Sequence, residues 1–207
     1  CFSEHSAAVL AKQGILLLGM TLSDPDVQSS MIEHVGRFDF HTTNSVVALE
    51  KYHEAGLINT SLLPFGIDRS YILAEVDIHD DDRADVICLG HGINRPERQK
   101  TMKLLATKFN VRVYGRGWEL PGAKVVKDMD MIRASRGGLV HINFAQTHAG
   151  YTNVKCGVFE TIGSGSLLCT GRFPEMENYF TYDSEIIGFE SEDDLTTQIG
   201  KILGDQN

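Results

Sequence analysis

Short apolar runs alternate with amphipathic stretches along most of this chain. Gly14 to Met20 reads as a strand, Phe38 to Thr43 as a second and Thr60 to Leu63 as a third, with a helix from Ser45 to Glu54 closed by Gly56. Pro64-Phe65-Gly66-Ile67-Asp68 breaks the pattern, and the acidic segment from Asp77 to Asp85 reads as a solvated connection between lobes. A second series follows. Its strands are Ala84 to Leu89, Val111 to Tyr114, Lys124 to Val126, Leu139 to Phe144, Ser166 to Cys169 and Glu185 to Phe189. Its helices are Pro96 to Phe109, Met129 to Ala134, Val154 to Ile162 and Glu192 to Leu203. Strands that alternate with helices predict a parallel α/β sheet, with ligands beyond the carboxyl ends of the strands. The expected division is a partial amino-terminal α/β lobe over 1–76 and a Rossmann-like domain over 77–207.

The composition changes this picture little. With 207 residues and 42% apolar content, the chain can bury one large core or two small ones. A formal net charge of -9 argues against a surface that tracks nucleic-acid phosphates. Cys1, Cys88, Cys156 and Cys169 show no CxxC spacing, so neither a zinc site nor a disulfide framework is indicated. No apolar run approaches the ~18 residues of a membrane span and no signal pattern is visible, which makes the cytoplasm the default location. The first residue is Cys1 rather than methionine, so an upstream portion is expected to be missing.

Chemistry concentrates in three loops. The run from Asn153 to Thr170 carries a helix with one acidic residue through glycines into an apolar strand. With an N-cap at Thr152 or Asn153, the helix aims free N–H groups and the positive end of its dipole at an anion. Lys155 in the first turn suits that site only if a phosphate offsets its charge. Glu160 is placed to accept hydrogen bonds from the vicinal hydroxyls of a ribose. The preceding loop, Gln146-Thr147-His148-Ala149-Gly150-Tyr151-Thr152-Asn153, is polar, follows a strand and leads directly into this helix. Gly90-His91-Gly92 follows a buried-type strand and lets backbone approach a diphosphate, with Arg95 and Arg98 as neutralising cations. The sequence does not satisfy G-x-G-x-x-G, because Arg95 holds the third glycine position. Gly115-Arg116-Gly117-Trp118 contains the only tryptophan, for which core packing competes with a role beside a ligand. Asp24-Pro25-Asp26, Asp80-Asp81-Asp82 and Asp128-Met129-Asp130 have the spacing of paired metal-binding carboxylates, but none has a neighbouring histidine ligand and no metal is expected. Ser164 follows a helix rather than a strand, which is the wrong order for a nucleophile elbow.

The run "KCGVFETIGSGSLLCTGRFPEMENYF…IIGFESEDDLTTQIGKIL" resembles the carboxyl-terminal part of group-1 glycosyltransferases of the GT-B fold, in the branch of the spore-maturation glycosyltransferases. "VRVYGRGWE" (Val111 to Glu119) looks like that branch's second strand and loop, and "GLINTSLLPFGIDRSYI" (Gly56 to Ile72) like its interdomain junction. The resemblance implies a GT-B-like, Rossmann-type nucleotide-sugar-binding domain beside a smaller, incomplete amino-terminal α/β lobe. It implies transfer from a nucleoside-diphosphate sugar, UDP- or GDP-linked, to a saccharide, protein or other small-molecule acceptor, without a metal and with retention of configuration. The loop with Arg116 and Trp118 would lie beside the nucleotide. Many retaining relatives carry a glutamate where this chain has Thr152, which leaves His148, Gly150 or Tyr151 as substitutes.

Catalysis would then rest on positioning and on cations at the departing diphosphate. Lys155, Arg95 and Arg116 are the candidates, and His91 and His148 are the loop histidines. Gly90, His91, Gly92, Arg116, Gly150, Tyr151, Thr152, Asn153 and Glu160 form the expected donor site. Two rival readings share the same fold: a module that holds a nucleotide sugar without turnover, and a sugar-nucleotide epimerase.

Overall fold

The computed structural model describes residues 3–204, and the chain forms two compact units. One comprises Cys1–Phe65 with Gln146–Val154, the other Gly66–Ala145 with Lys155–Asn207. The change of unit thus falls at the Pro64-Phe65-Gly66 break, earlier than the 76/77 boundary suggested by the acidic run. Among the described residues, no helix is long and apolar enough to cross a membrane. The expectations attached to Cys1 lie outside the described residues.

The first unit runs α1 (Glu4–Lys12), β1 (Leu18–Thr21), α2 (Gln28–Val35), β2 (Phe40–Thr43), α3 (Val46–Glu54) and β3 (Thr60–Leu62). Its three strands form a parallel sheet in the order β1-β2-β3, with Leu18 opposite Phe40 and His41 opposite Thr60. Ser45 caps α3, its hydroxyl accepting from the Ala48 N–H, and Gly56 closes the turn beyond the helix at φ +81°. Val35, Ala48 and Tyr52 form the core between α2 and α3, and Tyr52 packs edge-on against His41 on one face of the sheet, with ring centres 5.1 Å apart. The other face leaves Leu18, Met20 and Phe40 more than half exposed.

The second unit continues with α4 (Arg69–Leu73), a 3-10 turn at Asp80–Asp82, β4 (Ala84–Leu89), α5 (Pro96–Ala106), β5 (Val111–Tyr114), α6 (Met129–Gly137) and β6 (Gly138–Asn143). It ends with α7 (Cys156–Gly163), β7 (Leu167–Gly171), a 3-10 turn at Pro174–Asn178, β8 (Ile187–Phe189) and α8 (Glu192–Gly204). All five strands are parallel, in the order β5-β4-β6-β7-β8. Pro96 begins α5, where a missing N–H costs nothing. Lys124 to Val126, expected as a strand, makes only a single bridge through Lys124 to Tyr114. Val86, Cys88, Val140, Ile142 and Cys169 bury one sheet face against Met102 and Leu105 of α5 and Leu195 and Ile199 of α8. The side chains Val86, Ile87, Val140, Leu168 and Cys169 are fully buried, as expected for strands covered on both faces. Chain order reverses at β4, whose neighbours β5 and β6 both follow it in sequence. Loops diverge at such a switch point and leave a crevice at the carboxyl ends of the strands.

Candidate functional site

A cavity of about 660 Å³ opens at that switch point, wholly within the second unit. This is the size of a pocket for a small organic ligand. One wall is the turn after β4, with Leu89, Gly90 and His91, backed by Arg98 from α5. A second comes from Tyr114, Gly115 and Arg116 after β5 and from Val125 to Lys127. The third combines Asn143 and Phe144 after β6 with Lys155, Gly157 and Glu160 at the start of α7.

Two glycine turns make the first two walls rigid. The N–H of Gly90 donates to the Tyr114 carbonyl at 2.8 Å and that of Gly92 to the Arg116 carbonyl at 2.9 Å. Gly115, at φ +135°, lies so close that a Cβ there would sit 1.9 Å from the Gly90 oxygen. Gln99 fastens both turns, donating to the Gly117 carbonyl at 2.6 Å and to that of Gly92 at 3.3 Å. Trp118 joins them from outside: its indole N–H reaches the Gly90 carbonyl at 2.8 Å while its ring packs against the core. Of its two possible roles, core packing is therefore the one observed.

The third wall is electropositive. Helix α7 begins at Cys156, with Lys155 as its extended N-cap and no side-chain cap hydrogen bond. The start lies later than the Thr152 or Asn153 cap expected from sequence, because those residues belong to the other unit. Lys155 turns its ammonium to the Phe144 carbonyl at 2.7 Å, next to the positive end of the helix dipole. Like charges brought together this way favour an anion between them. Arg98 stacks over Phe144 with 5.3 Å from guanidinium to ring centre and donates to the carbonyls of His91 and Phe144. Its burial lowers its pKa from the ordinary arginine value. Arg98, Arg116, Lys127 and Lys155 thus share a cavity whose lining has Glu160 as its one carboxylate.

Glu160 lies in the second turn of α7, where its Oε1 accepts from the Cys156 thiol at 3.3 Å. Burial, with Glu160 nearby, pushes the Cys156 thiol up to about 12 and the Tyr71 phenol likewise to about 12. The thiol is therefore a neutral donor to that carboxylate at neutral pH, and the nearby phenol is neutral as well.

The structure gathers Gly90, His91, Arg116, Lys155 and Glu160 around one cavity but not the remaining expected residues. Gly92 sits behind the turn, its Cα facing Gln99 and Trp118. Arg95 is the N-cap of α5 and does not line the cavity, a place taken by Arg98 one turn on. His148, Gly150, Tyr151, Thr152 and Asn153 belong to the first unit. There a tight loop, closed by a Gln146–Thr152 bridge, is tied down by the Asp24-Pro25-Asp26 segment. Asp26 accepts from the N–H groups of His148 and Ala149 at 3.0 and 3.2 Å. Partial burial opposes its ionisation, but bonds from Thr147, Ala149 and His148 prevail and hold its pKa below the ordinary value. Asn153 donates to the Asp24 carbonyl at 2.9 Å, and the Tyr151 hydroxyl accepts from Lys51 at 3.0 Å.

Asp24 is buried, and this desolvation raises its pKa despite bonds from Thr43 at 2.6 Å and from Tyr52. Hydrogen bonds within the unit therefore account for both carboxylates of this Asp-Pro-Asp segment. Among the described residues, no three His, Cys, Asp or Glu side chains are grouped as metal ligands.

Residues 96–207 match the family described as glycosyl transferase-like. No curated protein sequence matches the chain. Among solved structures, the chain is similar to HepE of Anabaena in complex with UDP and glucose, with a TM-score of 0.69 at 11% identity, covering 99% of this chain and 67% of that one. It is also similar to sucrose-phosphate synthase of Thermosynechococcus elongatus, at 0.60 and 11%, with coverages of 98% and 63%. An α1,3-fucosyltransferase solved with GDP matches at 0.52 and 15%, over 81% of this chain and 58% of that one. These likenesses give the fold: a GT-B-like α/β arrangement with a Rossmann-type parallel sheet and a smaller, incomplete amino-terminal lobe.

Proposed function

The chain belongs to the glycosyl transferase-like family, and from that premise we propose that the cavity of its second unit binds a nucleoside-diphosphate sugar as glycosyl donor. The observation that carries this reading is the pairing of an electropositive wall with a lone carboxylate. The amino end of α7, Lys155, Arg98 and Arg116 suit a diphosphate, while Glu160 suits the hydroxyls of a ribose. Gly90 and His91 bring backbone close to the same anion. Val125 and Val126, outside any strand, offer apolar side chains for the base.

In this reading the chain's own groups do three things. Lys155, Arg98 and Arg116 stabilise the charge that builds on the leaving diphosphate. The rigid glycine turns hold the donor so that little reorganisation accompanies reaction. His91, the one histidine in the cavity lining, serves as the proton-transfer group in this reading. The donor sugar is transferred to an acceptor bound outside this cavity, by a mechanism of the group-1 type with retention and without a metal. The neighbours solved with UDP and with GDP support a UDP- or GDP-linked donor.

The test is turnover. The protein is incubated with UDP- and GDP-linked sugars and a panel of saccharide, peptide and small-molecule acceptors, and release of free nucleoside diphosphate is followed with and without chelator. Acceptor-dependent, chelator-insensitive release supports the proposal. Tight donor binding with no release from any acceptor would favour a binding module, and an isomerised nucleotide sugar formed without acceptor would favour an epimerase.

A further inference from the structure

His141 lies in β6 at 3% exposure and does not line the cavity. Burial pushes its pKa down to about 3, so the ring is neutral at ordinary pH. Both ring nitrogens are engaged. The backbone N–H of Leu89 reaches Nε2 at 3.3 Å, and Nδ1 lies 2.9 Å from the Thr161 hydroxyl oxygen. An amide N–H can only donate, which leaves Nε2 the lone pair and Nδ1 the proton. Nδ1–H therefore donates to Thr161, whose own proton goes to the Gly157 carbonyl at 2.6 Å. Each proton along Leu89, His141, Thr161 and Gly157 has one place, and Thr161 is itself fully buried.

The two ends of this chain are two walls of the cavity. Leu89 ends β4 and leads into Gly90 and His91, and Gly157 is the second residue of α7. We propose that His141 and Thr161 are positioning residues that fix the spacing between the turn after β4 and the first turn of α7, and so set how tightly a diphosphate is gripped from both sides. The proposal rests on the donor reading above for its ligand, though not for its geometry. A buried strut of two fully bonded polar groups is stiff because displacing either wall strands a donor or an acceptor away from water.

Thr161→Val keeps the shape of the side chain and removes its hydroxyl; Thr161→Ser restores the hydroxyl. Two measurements are made on each. Hydrogen exchange of the ligand-free protein should quicken in Thr161→Val at both Leu89–His91 and Cys156–Val158, and stay near wild type in Thr161→Ser. Calorimetric titration should show UDP or GDP, whichever the wild type takes, binding Thr161→Val about tenfold more weakly, with the matching nucleoside within about twofold. Faster exchange confined to α7, or equal losses for nucleoside and diphosphate, would overturn the proposal. If the wild type binds no nucleoside diphosphate, the donor reading fails, and the exchange pattern alone decides whether the strut exists. If Thr161→Val does not fold, His141→Asn serves instead. Its amide can still donate towards Thr161 but no longer reaches the Leu89 N–H, so exchange should quicken at Leu89–His91; no change there would overturn the proposal.

Discussion

His141 and Glu160 show how the same unit uses buried and half-buried polar groups for opposite ends. His141 is held neutral, its folded pKa of about 3 lying well below the ordinary value of about 6.5. Between those values the unfolded chain binds a proton that the folded chain refuses, so stability present above about pH 6.5 is lost as pH falls towards 3. His41, also lowered by burial, acts in the same direction, and Asp24, raised by burial, acts in the other. Urea unfolding at pH 7, 6, 5 and 4 should therefore show wild-type stability falling more steeply than that of His141→Gln, by up to about 1.4 kcal/mol per pH unit. Parallel curves would mean that His141 is protonated in the fold. Under the proposed donor reading Glu160 serves as a charged acceptor. Glu160→Gln keeps its size but removes the strong acceptor, so nucleoside diphosphate affinity should drop about tenfold with melting temperature nearly unchanged. The sequence made Glu160 legible because a lone carboxylate after a helix start is an unusual pattern. It hid His141, since a histidine in an apolar strand carries no distinguishing signal, and it offered Arg98 together with Arg95 without separating the one that lines the cavity from the one that caps α5.

At the scale of elements, two devices lock the second unit around its cavity. Arg136 closes α6 by donating to the carbonyls of Tyr71, Ile72 and Ala74 at the end of α4 and of Ser164 at the end of α7. A cation at two helix carboxyl ends answers both dipoles and several orphan carbonyls at once. Arg136→Ala should lower the unfolding free energy by about 2–3 kcal/mol, read from the denaturant midpoint. The glycine turns are the second device: Gly115→Ala combines a left-handed φ with a Cβ placed inside the Gly90 carbonyl, and should cost about 3 kcal/mol or more. Thermal unfolding within a degree of wild type would contradict this packing.

Strands were the readable elements. Ala84 to Leu89 and Val111 to Tyr114 are continuous apolar or alternating runs between clear breaks, and both form as read. Helices α1, α2 and α4 were not anticipated, since α4 has only five residues and α1 and α2 mix polar and apolar positions without a clean stripe. Lys124 to Val126 has strand composition but lacks ladder partners beyond one bridge, which tertiary pairing alone decides.

For the whole molecule, alternation of strand and helix was enough to predict a parallel α/β fold and the edge at which its loops converge. It was not enough to assign the loop from Gln146 to Val154. That segment interrupts the second unit in sequence yet packs with the first, because Asp24 and Asp26, more than a hundred residues away, supply its hydrogen-bond partners. Local pattern carries no information about such a pairing. The cavity therefore gathers fewer of the expected residues than the sequence suggested: it is lined by the turns after β4 and β5, the residues after β6 and the start of α7, without His148, Gly150, Tyr151, Thr152 or Asn153.

The central claim is that this cavity receives a nucleoside diphosphate with its anion at the start of α7 and its ribose at Glu160. Calorimetric titration of the protein with UDP, GDP, ADP and dTDP, with and without chelator and repeated on Glu160→Ala, tests it most directly. The expected result is saturable binding of one of them that survives chelation and weakens by about 1–3 kcal/mol in Glu160→Ala. Binding of none, or binding that is indifferent to Glu160, would contradict the account.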